Sequence, residues 1–331
     1  MGGDHGPQAV VEGVLRACRE MPGRFQITLV GDEPELRAAL QHARAADSLP
    51  IEVVHAAERI EMSEKAAAAA RRKSGSSLGV LTQLHKEGRV DALFSAGNTG
   101  AVVATALLGL GRIESVSRPA LAAFMPNPVG GTVVLDVGAN AECKPGWLVQ
   151  FAHMGSVYAR YLLGRPEPRV GLLSIGEEET KGNSLVLEAQ PLLRQARHLN
   201  FVGNVEGRDI LLGTCDVIVT DGFTGNVVLK TAEGVASLLG HQIREELKRD
   251  LLARLGALFL LPALKRAKAR FDWEEYGAAP LLGVNGVCFV GHGSSGPRAF
   301  CSAIRTLTRF VEQRVNAHIR EEIEADHDSA A

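Results

Sequence analysis

Lys181 stands in Ile175-Gly-Glu-Glu-Glu-Thr-Lys-Gly-Asn183, directly behind the strand-like run Arg169-Val-Gly-Leu-Leu-Ser174. A lysine flanked by Thr180, Gly182 and Asn183 just before a helical pattern suits an anion. Backbone N–H groups at a helix start carry partial positive charge, and one mobile ammonium adds a full charge. The ligand would be a phosphate-sized anion or a developing oxyanion. The competing reading is a solvated surface lysine paired with Glu177, Glu178 or Glu179, which themselves suit the first turn of a helix. The arrangement recurs. Asp91-Ala-Leu-Phe-Ser-Ala-Gly-Asn-Thr-Gly100 presents Asn98, Thr99 and Gly100, and Asp216-Val-Ile-Val-Thr-Asp-Gly-Phe-Thr-Gly-Asn226 presents Thr224, Gly225 and Asn226. Leu135-Asp-Val-Gly-Ala-Asn140 adds Asp136 and Asn140. For the asparagines the choice is between a helix cap and an amide donor to a bound carbonyl or phosphate. Loops of this kind at the ends of parallel strands converge on one crevice, where open α/β sheets bind their ligands.

Other chemistry is thin. Asp4 and His5 fit either a metal or acid–base pair or a local turn network, and Cys143 either a nucleophile or a buried thiol. The chain has no GxxxxGK[ST], no GxGxxG opening a helix after a strand, no GxSxG and no HExxH. Its five cysteines lack CxxC or Cys/His ligand spacing, which points to reduced thiols in a cytoplasmic protein. A net charge of −2 gives no basic excess for nucleic acid. No basic, apolar leader opens the sequence, and the run Leu255–Leu264 is about half of what a bilayer span needs.

The elements that must position these loops follow from periodicity. Helical and strand patterns alternate with short connections over 331 residues, which predicts a three-layer α/β/α domain around a mainly parallel sheet. Helices are expected over 9–19, 33–45, 64–72, 78–87, 100–110, 148–163, 184–196, 228–247 and 297–324. Strands are expected at 26–30, 51–54, 92–95, 120–125, 132–137, 170–174, 201–204, 217–220 and 286–290. One domain over 1–324 and a disordered tail over 325–331 complete the reading. Within the domain, 248–270 carries a basic, leucine-rich amphipathic segment broken by Pro262, suited to an anionic membrane surface or an oligomer contact.

The chain resembles the PlsX-type phosphate acyltransferase family of bacterial phospholipid synthesis. The matching blocks are Met1-Gly-Gly-Asp-His5, Ser95-Ala-Gly-Asn-Thr-Gly-Ala101, Asp136-Val-Gly-Ala-Asn140 and Gly176-Glu-Glu-Glu-Thr-Lys-Gly-Asn183. They continue with Asn200-Phe-Val-Gly-Asn-Val-Glu-Gly-Arg-Asp209, Asp221-Gly-Phe-Thr-Gly-Asn-Val-Val-Leu-Lys230, Gly283-Val-Asn-Gly286 and Gly291-His-Gly-Ser-Ser295. The resemblance implies transfer of an acyl group from acyl-acyl-carrier protein to inorganic phosphate, with no metal or redox cofactor. It also implies a fold like the isocitrate/isopropylmalate dehydrogenases and phosphotransacetylase, and a homodimer. A membrane glycerol-3-phosphate acyltransferase would take the product, so peripheral association with the inner membrane face is expected. The family's essential lysine and asparagine fall on Lys181 and Asn226. The remaining candidates, Asn98, Thr99, Gly100, Asp136, Asn140, Thr180, Asn183, Thr224 and Gly225, are expected to bind phosphate or substrate. Members usually carry a short hydrophobic strand ahead of the block that begins here at Met1.

Overall fold

The computed structural model describes residues 3–45, 48–249, 256–257, 259–260, 262–263 and 278–330. The chain opens with α1 (Gly6–Glu20), β1 (Ile27–Gly31), α2 (Glu33–His42), β2 (Ile51–His55), α3 (Ala66–Arg72) and α4 (Ser77–Lys86). The middle holds β3 (Leu93–Ser95), α5 (Thr99–Gly109), β4 (Ala120–Met125), β5 (Thr132–Leu135), α6 (Pro145–Leu162) and β6 (Arg169–Leu173). Next come α7 (Ser184–Gln195), β7 (Asn200–Val205), α8 (Gly207–Leu212), β8 (Val217–Val219) and α9 (Gly222–Lys248). The chain closes with β9 (Ala279–Leu282), β10 (Cys288–Val290), α10 (Pro297–Glu312) and α11 (Val315–Ala330).

The main sheet has the order β3-β10-β9-β4-β5-β8-β6-β7. Strands β5, β8, β6 and β7 run parallel, whereas β4, β9 and β10 enter by antiparallel pairings. The sheet is mixed and mostly parallel, with helices on both faces. Period-two burial decides which residue faces which layer. Val133, Leu135, Val217 and Val219 join the core beneath α6, while Val134 and Ile218 join the opposite core beneath α5 and α9.

The C-terminal helix differs from expectation in two ways. The helix expected over 297–324 breaks at Arg314, which adopts φ 50°, so α10 and α11 are separate. Helix α11 then continues to Ala330, which replaces the expected disordered tail over 325–330. Most of the basic segment 248–270 lies outside the described residues. Among the described residues no helix is long and apolar enough to cross a membrane.

Strands β1 and β2 form a separate parallel pair, and the main sheet ends at β3. Helix α4 touches both β1 and β3, and a cleft of about 700 Å3 lies between them, walled by Ile27, Leu29, Phe94, Phe300 and Ile304.

Candidate active site

Parallel pairing sets β5, β8 and β6 side by side, so the loops leaving their C-terminal ends are neighbours. These are the Asp136–Asn140 loop, the Asp221 turn into α9 and the 174–183 loop that carries Lys181.

The first loop is a frame. Asp136 is fully buried, and its Oδ1 accepts the N–H groups of Leu121 (3.0 Å), Gly138 (3.1 Å) and Ala139 (3.0 Å). Its Oδ2 accepts the Asn140 N–H at 2.7 Å and the Asn140 Nδ2 at 2.9 Å, while that Nδ2 also donates to the Pro119 carbonyl at 2.8 Å. Burial pushes the Asp136 carboxyl above its ordinary value, and the surrounding donors pull it back. The Asp136 carboxylate and the Asn140 amide nitrogen are spent holding the loop, which corrects the substrate contact expected of Asp136; the Asn140 side-chain oxygen has no hydrogen bond among the described residues. Cys143 is half-buried beside them, its thiol pushed up to about 12 chiefly by burial, so it supplies no thiolate at neutral pH.

Helix α9 presses its first turn onto that frame. The Gly222 N–H donates to the Asn140 carbonyl at 2.8 Å, and a Cβ on Gly225 would sit 1.9 Å from the Asp136 carbonyl oxygen. Only glycine permits this approach. The N-cap is Asp221, which accepts the Thr224 N–H at 2.9 Å and the Thr224 hydroxyl at 2.7 Å. Asn226 lies a turn further on, inside the helix, so it is not the cap. Its side chain is exposed, and no hydrogen bond engages it among the described residues.

Strand directions correct one expectation. Following the pairings across the sheet, β3 runs opposite to β5, so the 95–100 loop does not leave the same edge. A cavity of about 440 Å3 joins the two ends across the sheet face instead. Thr99, Gly100, Gly138 and Asn226 line it together with the apolar side chains of Leu121, Ala123, Val137, Leu229 and Val290, with Lys230 and His292 beside them. Asn98 caps α5 through the Ala101 N–H at 3.0 Å, and its Nδ2 donates to the carbonyls of Met62 (3.0 Å) and Glu64 (3.3 Å). Its amide is occupied by the fold, which leaves the helix-start N–H groups of Thr99 and Gly100 to meet a ligand.

Lys181, Thr180 and Asn183 do not line that cavity; they sit on the adjoining 174–183 loop, all exposed. Asn183 caps α7 through the Val186 N–H at 3.0 Å. The lysine does not pair with its own glutamates: Arg208 engages Glu177 at 3.4 Å and Arg194 engages Glu179. Among the described residues no carboxylate pairs with the Lys181 ammonium. Asp4 is held through its backbone, its N–H donating to the Gly293 carbonyl at 2.8 Å, and no metal-holding cluster occurs among the described residues. Sequence reasoning passed over Asn204, which reaches the lysine loop from β7, and over Lys230 and His292 at the cavity. Asn204 offered one signal, a lone polar side chain within a strand.

A family model described as "Fatty acid synthesis protein" matches residues 1–318. The phosphate acyltransferase of Heliobacterium modesticaldum is 52% identical over 323 residues, covering 98% of this chain and 96% of that protein. That of Thermus thermophilus is 52% identical over 327 residues, covering 99% and 98%. Among solved structures, EutD phosphotransacetylase from Staphylococcus aureus aligns with a TM-score of 0.58 at 17% identity, covering 93% of this chain and 92% of that one. A phosphotransacetylase from Streptococcus pyogenes gives 0.59 at 18%, covering 92% and 93%. Identity at that level carries the three-layer fold and nothing finer.

Proposed function

The chain belongs to the phosphate acyltransferase family and is an acyltransferase, and on that footing we propose that its donor is acyl-acyl-carrier protein and its acceptor inorganic phosphate. The observation that carries the reading is a pair of exposed polar side chains with no hydrogen bond among the described residues: Lys181 on the loop after β6, and Asn226 in α9 after the adjacent strand β8, where it lines an apolar cavity. An exposed cation with two of its three neighbouring glutamates, Glu177 and Glu179, tied to Arg208 and Arg194 suits a dianion. The cavity's apolar wall suits an acyl chain, and the amide of Asn226 at its edge suits a thioester carbonyl.

Phosphate at neutral pH is already an anionic nucleophile, so the protein's tasks are positioning and charge stabilisation. Lys181 and the N–H groups of Thr99 and Gly100 hold phosphate. One phosphate oxygen attacks the carbonyl carbon, a C–O bond forms, and the carbonyl electrons move onto oxygen. Asn226 donates to that oxyanion. Collapse breaks the C–S bond, the electron pair leaves on sulfur, and the thiolate takes a proton from solvent. The products are acyl phosphate and free carrier protein.

Phospholipid synthesis is the setting that suits an acyl phosphate, with a membrane glycerol-3-phosphate acyltransferase as its consumer. Cytoplasmic location, self-association and peripheral contact with the inner membrane face belong to the same proposal. Val235, Leu238, Leu239 and Ile243 are exposed at helical spacing along α9, which supports a partner on that face. The test is release of carrier thiol from palmitoyl-acyl-carrier protein with and without phosphate, beside palmitoyl-CoA. Phosphate-dependent release that favours the carrier protein is the expected outcome. Preference for the CoA thioester would displace the carrier-protein assignment, and release independent of phosphate would displace phosphate as acceptor.

A further inference from the structure

The lysine loop is held from beneath by the side chain of Asn204, with a second donor from Ser174. Asn204 lies in β7, only 7% exposed, and its Nδ2 donates to the Glu178 carbonyl at 3.0 Å and to the Lys181 carbonyl at 3.3 Å. The Ser174 hydroxyl donates to the same Lys181 carbonyl at 3.2 Å. Two acceptors facing one nitrogen fix which way the amide points, since the reverse orientation would set its oxygen against two carbonyl oxygens. The Asn204 Oδ1 is buried without a partner, so this orientation is kept although the oxygen is left unsatisfied. Peptide carbonyls carry the negative end of the backbone dipole, and an anion site is weakened wherever they face the anion. Turned down onto Asn204, the carbonyls of residues 178 and 181 point away from the open side of the loop.

We propose that Asn204 is a positioning residue for phosphate: it draws the Glu178 and Lys181 carbonyls inward and so fixes the backbone from which the Lys181 ammonium reaches the anion. The inference rests on the reading of Lys181 as the phosphate-binding cation. Asn204 itself touches no substrate and acts through the loop. A displacement of about 1 Å at a reacting group costs on the order of 100-fold in rate. The expected losses for Asn204→Ala are therefore about 10- to 100-fold in kcat/KM for phosphate, carried mainly by KM. Asn204→Asp keeps the size but sets an acceptor against two acceptors, so it should lose more than Asn204→Ala. Ser174→Ala, which removes the second and more exposed donor, should give a smaller loss of the same kind.

The experiment is a double-mutant cycle with Lys181→Ala, read as kcat and KM for phosphate, with folding of each variant checked by near-UV circular dichroism. If Asn204 acts through Lys181, its substitution costs less than about 3-fold once the lysine is gone. An equal loss in both backgrounds would reduce Asn204 to general stability and overturn the proposal. Near wild-type kinetics for Asn204→Ala beside a crippled Lys181→Ala would overturn it alone. Near wild-type kinetics for Lys181→Ala would remove the reading beneath it. Should the Asn204 variants not fold, the Ser174→Ala cycle decides by the same criterion.

Discussion

Lys181 and Asn226 are exposed, and most of the polar groups around them are already engaged. Arg194 and Arg208 hold Glu179 and Glu177, Asp221 serves as the cap of α9, and Asp136 takes up the N–H groups of residues 138–140. Exposed ion pairs of this kind add little to stability, so their consequence here is placement of charge. Loss of a single oxyanion donor costs roughly 100- to 1,000-fold in turnover. Asn226→Ala should fall in that range in kcat with KM for phosphate little changed, whereas Lys181→Ala should also raise KM for phosphate. Steady-state kinetics on folded variants check both, and near wild-type rates for either would remove that residue from the mechanism. Both candidates were picked in the sequence from glycine, asparagine and threonine behind a strand, and the fold leaves both exposed. The engagement of Asp136 was not legible there, because five donors converge on it only after β4, β5 and the following turn are folded together. The partners of the glutamates likewise lie 15 and 31 residues away in sequence.

At the scale of elements, the site depends on how closely α9 meets the 136–140 loop. A methyl on Gly225 would meet the Asp136 carbonyl at 1.9 Å, while nothing lies within 4 Å of a methyl on Gly240 in the same helix. Gly225→Ala should therefore destabilise by about 3 kcal/mol or more and lower activity. Gly240→Ala should be neutral or stabilising by up to about 1 kcal/mol. Urea unfolding of the two variants checks the contrast, and equal stability would contradict the packing described. Glu20 provides a second test, since it links α1 to α10 through Arg305 at 2.6 Å and also bonds Arg16 at 2.8 Å. Its carboxyl is lowered from 4.5 to about 2, first by the bond from Arg16 and then by Arg305. A lowered folded-state pKa means that the unfolded chain binds the proton more tightly. Stability from Glu20 is thus full above about pH 4.5 and is lost as pH falls toward about 2. Glu20→Gln should flatten that part of the stability–pH curve, and an unchanged curve would count against the link. Periodicity made most elements legible, but not the antiparallel insertion. Strand β9 reads Ala-Pro-Leu-Leu, and Pro280 argues against a strand in sequence, yet its tertiary partners β4 and β10 hold it in the sheet. The start of α9 was likewise placed too late, because Asp221 caps a first turn rich in glycine.

For the molecule as a whole, strand direction decides where chemistry can occur. The antiparallel strands reverse the sheet between β5 and β3, and the cavity spans that reversal to bring Thr99 and Gly100 to Asn226. Family membership makes the chain a phosphate acyltransferase relative and an acyltransferase; the carrier-protein donor is the proposed part. The most direct test is to incubate the protein with palmitoyl-acyl-carrier protein and 32P-labelled phosphate and to follow label into an organic-soluble product. Hydroxylamine cleaves acyl phosphates to hydroxamates, so it should return the label to water. The expected outcome is labelled, hydroxylamine-sensitive product formed mole for mole with free carrier thiol and strongly reduced in Lys181→Ala. Thiol release from folded protein with no label in the organic phase would mean hydrolysis in place of transfer to phosphate, and would contradict the central claim.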